Sequence, residues 1–133
     1  MAGIRRRTQR GAALVEMALV LFLLVLLVMG IVDFGRAFNN YIIIQNASRE
    51  GARYASRFPN NQASIVAATR AEAVNSGIPA NMILVTVSGL GAAGGQPIRV
   101  TTTYNYATFL GGLIGIPNMT LSASTEMVVF GLD

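Results

Sequence analysis

Apolar residues recur along this chain in three different rhythms, and each rhythm predicts a different element. From Ala12 to Val32 nearly every residue is apolar, and Glu16 is the only charge. As a helix this run rises about 1.5 Å per residue, so its length of roughly 30 Å matches the hydrocarbon core of a bilayer. From Asp33 to Phe58 the rhythm changes. Apolar or small residues fall at 34, 37, 38, 41, 44, 47, 48, 51, 52, 55 and 58, while Arg36, Asn40, Arg49, Glu50, Arg53 and Arg57 hold the opposite side. Intervals of three and four place the first set on one helical face. Pro59 should end the helix, because a residue before proline avoids the helical region.

Asn60 and Asn61 then offer caps for a second helix over 62–76. Ile65, Ala68, Ala71 or Glu72, and Val74 lie on its inner face, and Gly77 and Pro79 close it. Three stretches alternate with period two: Ile83, Val85, Val87; then Ile98, Val100, Thr102, Tyr104, Tyr106; then Met119, Leu121, Ala123, Thr125, Met127, Val129. These predict strands separated by glycine-rich breaks at 89–95 and 111–115. The fold class is α+β. A long N-terminal helix, membrane-spanning in its first half and amphipathic in its second, carries a short second helix and a three-stranded antiparallel sheet packed on it. Three regions follow: a basic head (1–11), the apolar helix (12–32) and an outer domain (33–133). Gly30, Gly35 and Gly51 each cost about 1 kcal/mol against alanine within a helix. A bend or local melting is plausible near 30–35, and close packing of another element is expected at Gly51.

The sequence pI near 10.4 invites a nucleic-acid partner until the charges are located. Four of the ten basic residues, all arginine, are Arg5, Arg6, Arg7 and Arg10. From Ala12 onward six arginines balance six acids. The excess therefore sits beside the apolar run, where arginines mark the cytoplasmic side, and nucleic acid is not expected as a partner. The chain has no cysteine, histidine, lysine or tryptophan. The usual metal ligands, general bases and Schiff-base amine are missing, so neither an enzyme, a cofactor nor a metal site is expected. The glycines of 91–96 lack the residues of a phosphate loop and read as a hairpin connection.

Glu16 is the residue that composition does not explain. A lone carboxylate at the centre of a membrane helix costs roughly 2.5–3.5 kcal/mol, less near an end. The free N–H groups and positive dipole of a helix start would offset some of that cost. So would a cationic partner, such as the α-amino group that a cut after Gly11 would give Ala12. In a stack of identical helices, Glu16 of one copy can meet the amine of the next. The arginine stripe at 49, 53 and 57 is a like-charge series that asks for an acidic neighbour, either Glu50 or another subunit. A solvated face remains the plainer reading of Arg49, Glu50, Arg53 and Arg57.

The glycine-to-glutamate spacing, with a basic head before and an apolar helix after, resembles the processing site of type IV pilin-like precursors. Three segments together resemble the TadE-like family of the tight-adherence (Flp) pilus system. They are residues 10–20, residues 30–37 with 46–55, and residues 98–104 with the turn and strand up to Glu126. The resemblance implies a pilin-like subunit cut after Gly11 by a prepilin peptidase, with Ala12 as new terminus and Glu16 as assembly residue. It implies a precursor in the cytoplasmic membrane, its N-terminus inside, and then an extracellular filament. The implied partners are other pilins, copies of the chain, the pilus assembly platform and, before assembly, the lipid bilayer. Many relatives carry an aromatic residue where this chain has Met17 and a proline where it has Phe22. A straighter helix is expected in consequence. The alternative is a bitopic membrane protein whose outer domain binds a partner without polymerising.

Overall fold

The computed structural model describes the backbone of residues 3–130 and side chains from Gly11 onward; the side chains of the basic head lie outside the described residues. Helix α1 runs without interruption over Gly3–Arg57, so Gly30 and Gly35 do not break it and the local melting considered there does not occur. Pro59 follows its end as expected. α2 spans Gln62–Asn75, and the Asn61 side chain accepts from the Ser64 N–H at 3.0 Å, a standard way to satisfy a free donor of the first turn. The strands are β1 (Ile83–Ser88), β2 (Pro97–Ala107) and β3 (Asn118–Val128), in the order β1-β2-β3 and antiparallel throughout.

The register carries the inner face of each strand across the sheet: Val85 pairs with Thr102, and Thr102 with Ala123. On the outer face Arg99 lies opposite Glu126 with a 2.7 Å ion pair, which favours that alignment. The buried inner residues Ile98, Val100, Ala123 and Val129 pack in two clusters with Ile44, Ala47, Ala52 and Ala55 of α1 and Ile65 and Ala73 of α2, and Thr102 and Tyr106 are buried on the same face. The alternation expected of the strands is therefore real and faces the helices. At the far end the sheet is tied to α1 by the Phe130 N–H, which donates to the Ser56 carbonyl at 2.9 Å.

Three expectations are corrected. On α2 the buried positions are Ile65, Thr69 and Ala73, not the Ala68 and Val74 spacing. Thr69 can be buried because its hydroxyl donates to the Ile65 carbonyl at 2.8 Å, and because it packs where Gly51 has no side chain. On α1 the inner face is covered only from Ile43 to Ser56; Phe34, Phe38, Tyr41 and Phe58 stay exposed. Third, the glycine-rich break at 111–115 holds a short helix, α3, over Phe109–Ile114.

Thr102 carries a buried hydroxyl with no partner among the described residues. An unmet buried hydroxyl costs about 1–3 kcal/mol, and valine keeps its branched shape. Thr102→Val should therefore raise the denaturation midpoint, by about 1 kcal/mol after imperfect repacking, measured by urea titration in detergent. A loss of stability would mean that the hydroxyl has a partner.

Candidate functional site

The first half of α1 is bare. Its most apolar window has a mean hydropathy of 2.9 and none of it is buried by the rest of the chain. Leu14, Leu19, Leu23, Leu27 and Ile31 are all exposed. By length and composition this helix can cross a membrane. Gly11, Ala12 and Glu16 are exposed at the beginning of the apolar run but inside α1, which starts at Gly3; the carboxylate therefore lies beyond the free N–H groups of the helix start expected to offset its cost, and among the described residues it has no ion pair or side-chain hydrogen bond.

At the other end of the apolar run stands Asp33, which the sequence reading passed over. It is only 8% exposed, and its carboxylate reaches across to the start of α3. There Oδ1 accepts from the Phe109 N–H at 3.0 Å and Oδ2 from the Leu110 N–H at 2.7 Å. The Tyr106 hydroxyl donates to the same carboxylate at 3.3 Å. The residue preceding α3, Thr108, makes no side-chain cap, so α1 supplies the cap in its place. This is how a segment of six residues with two glycines holds a helical turn. Gly115, at φ 85°, closes it in the left-handed conformation. Thr108 braces the return: its N–H donates to the Pro117 carbonyl at 3.0 Å and its hydroxyl to that of Ile116 at 3.2 Å.

The Phe109 amide holds the Asp33 carboxyl below the usual aspartate range; burial opposes this, while the Leu110 amide, the Tyr106 hydroxyl and Arg36 assist. Burial pushes the Tyr106 phenol up, so it remains a donor. Arg36 lies over the Phe109 ring at 4.3 Å and the Tyr106 ring at 5.1 Å, a cation–π arrangement on both. Because the folded pKa of Asp33 is the lower one, its contribution is complete above the ordinary aspartate value of about 3.9. It is lost as pH falls through the depressed native value. The amide resonances of Phe109 and Leu110 should therefore titrate together with a midpoint below that of an unstructured aspartate. Asp33→Asn should abolish the titration and raise hydrogen exchange at both amides. Independent titration of the two would break the clamp assignment.

Beside this clamp lies an apolar groove of about 510 Å³. Phe34, Phe38 and Tyr41 form its α1 wall and Ile114, Ile116 and Met119 the other. Farther along α1, Arg53 makes a two-pronged contact with Glu50 at 2.7 and 2.9 Å. This hydrogen bond holds the Glu50 carboxyl below its usual range and raises the Arg53 pKa. Arg49 and Arg57 are exposed and have no ion pair among the described residues. The stripe thus finds one acidic partner inside the chain. An exposed pair of this kind contributes little to stability.

Fold and span together define a class: a small α+β domain carried on the continuation of a helix long and apolar enough to cross a bilayer. Within that class, residues 11–53 match the family model described as TadE-like protein. The match covers most of the first two segments of the sequence resemblance, from Gly11 through the Asp33 and Arg36 region to Arg53, and bears the resemblance out over those residues; the third segment lies outside it. No curated protein and no solved structure matches the chain.

Proposed function

We propose that the protein is a TadE-like pilin subunit of a Tad-type pilus system, cut between Gly11 and Ala12 and assembled into a filament through its N-terminal helix. The observation that carries this reading is the apolar helix of residues 12–32, exposed along almost all of its length, with Glu16 near its beginning and unpaired among the described residues. In a bilayer, lipid solvates that surface and no hydrophobic force draws helices together. Outside a bilayer the same surface costs about 25 cal/mol per Å² in water, and neighbouring copies are the natural cover. Glu16 then finds its cation in the freed amine of Ala12 on an adjacent subunit. On this reading a prepilin peptidase and the assembly platform handle the precursor in the cytoplasmic membrane. Its domain faces outward, and the product is an extracellular filament. Arg49 and Arg57 remain available for contacts between subunits, alongside the Glu50–Arg53 pair.

Mass spectrometry of protein isolated from its native cells is the test. A terminus at Ala12 is expected, and an intact Met1 on filament-derived material would overturn the processing site. The competing reading, a bitopic protein that binds a partner without polymerising, predicts uncut protein that stays in the membrane fraction.

A further inference from the structure

The apolar surface of this protein does not end with the span. Between Arg99 and Glu126 there is no charged residue, and the turn at the middle of this stretch, around α3, leaves Phe109, Leu113, Ile114 and Ile116 exposed. An exposed apolar cluster of this size on a domain surface marks a contact with something. Its position says with what. A side-chain atom of Leu110, Cδ2, lies 3.7 Å from where a Cβ on Gly30 would stand. Gly30 is inside the apolar run, two residues before its end at Val32, hence about 3 Å below that end at 1.5 Å per residue.

We propose that α3 and the turn after it, residues 109–116, seat in the interfacial layer of the bilayer leaflet on the domain side, as a second membrane contact beside the span. This rests on the reading of residues 12–32 as membrane-spanning. The run is about as long as the hydrocarbon core is thick, so whatever touches Gly30 lies at the core boundary.

Three further features suit that depth. Backbone donors near lipid must be satisfied within the protein, and the Asp33 carboxylate takes the N–H groups of Phe109 and Leu110. Arg36 borders the cluster, lying over the exposed Phe109 ring and the buried Tyr106 ring. The Arg36–Phe109 pair presents an exposed ring and a cationic head, a combination that suits a membrane interface. The charged residues nearest in sequence, Arg99 and Glu126, pair with each other on the outer face of the sheet, toward its opposite end. The apolar end is thus the end that meets the span.

The chain contains no tryptophan, so one introduced indole reports alone. The full-length protein carrying Leu113→Trp is reconstituted in phosphatidylcholine–phosphatidylglycerol vesicles whose phosphatidylcholine is brominated near the top of the acyl chains. Val25→Trp, within the span, and Val128→Trp, at the opposite end of the sheet, are measured beside it. Circular dichroism checks folding, and Ile116→Trp replaces Leu113→Trp if that variant does not fold. The expected result is blue-shifted emission and loss of most intensity for L113W and V25W, with V128W unquenched. Quenching of V25W without L113W overturns the proposal and leaves the span intact. Absence of quenching in V25W overturns the span reading, and the proposal with it. Blue-shifted but unquenched L113W that reddens as protein is diluted in lipid overturns it too, because a second copy then covers the cluster.

Discussion

Gly51→Val should be the most damaging single substitution in the outer domain. Gly51 sits where α1, α2 and β2 converge: a Cβ there would collide with the Thr69 hydroxyl and stand 3.1 Å from a methyl of Val100. Neither neighbour has room to move, since Thr69 and Val100 are fully buried and the Thr69 hydroxyl is committed to the Ile65 carbonyl. Overpacking of a filled core costs about 1–3 kcal/mol, and valine adds two more methyls to the collision. Alanine gives the sharper comparison. On helix propensity alone Gly51→Ala would stabilise by about 1 kcal/mol, so any net loss measures the clash. Thr69→Ala removes the hydroxyl, and the double variant should recover much of the loss, giving a coupling of about 0.5–3 kcal/mol. Chemical denaturation followed by circular dichroism supplies the four stabilities. A Gly51→Ala protein more stable than the parent, with no coupling to Thr69, would show that the helices can part at this point without cost.

Glu16→Gln is expected to leave the amount of protein in the membrane unchanged or higher and to remove most of the filament. Two effects of the same carboxylate separate here. Insertion is opposed by a charge in the apolar run, so neutralising it favours the membrane state. Assembly on the proposed reading uses that charge against an amine at low dielectric, where a paired charge counts for far more than in water. Glutamine keeps the length and hydrogen-bonding atoms but cannot supply the charge. Membrane fractionation and sheared-filament yield, measured on the same cells, read the two effects apart. Normal filaments from E16Q cells would remove Glu16 from the assembly step.

How much of this was legible in the sequence depended on whether a residue's environment is set by its neighbours in the chain. The strands were readable because Ile98, Val100, Thr102 and Tyr106 alternate with residues that face outward, and a period of two has one interpretation in so apolar a stretch. The α1 face was readable from Ile44 to Ala55 for the same reason at a period near four. It was over-read at Phe34, Phe38 and Tyr41. These continue the periodic stripe but line an open groove, because the sheet does not close over that part of the helix. Thr69 was missed on α2 because a threonine resembles a surface residue until the glycine opposite it is known. α3 was out of reach for a plainer reason. Two glycines in six residues argue against a helix, and the cap that overrides them comes from Asp33, 76 positions earlier. In the sequence that aspartate marks only the end of the apolar run, and nothing local points to its distant partners. At the candidate assembly site, the spacing of Gly11 and Glu16 is a feature of the chain alone, and the fold adds no contact to it among the described residues.

The uninterrupted α1 also gives the molecule a mechanical property. The apolar run and the stretch that carries the sheet are one continuous helix, so the outer domain follows the direction of its anchor as far as that helix is stiff. From Asp33 to Arg57 the helix is a stiff lever of about 36 Å at 1.5 Å per residue. If the span leans by about 20°, as membrane helices commonly do, the far end of the domain is carried sideways by roughly 12 Å. Whatever tilts residues 12–32 therefore shifts the lateral position of the domain mounted on the same helix. Tension along the axis passes directly into the helix on which the sheet is mounted.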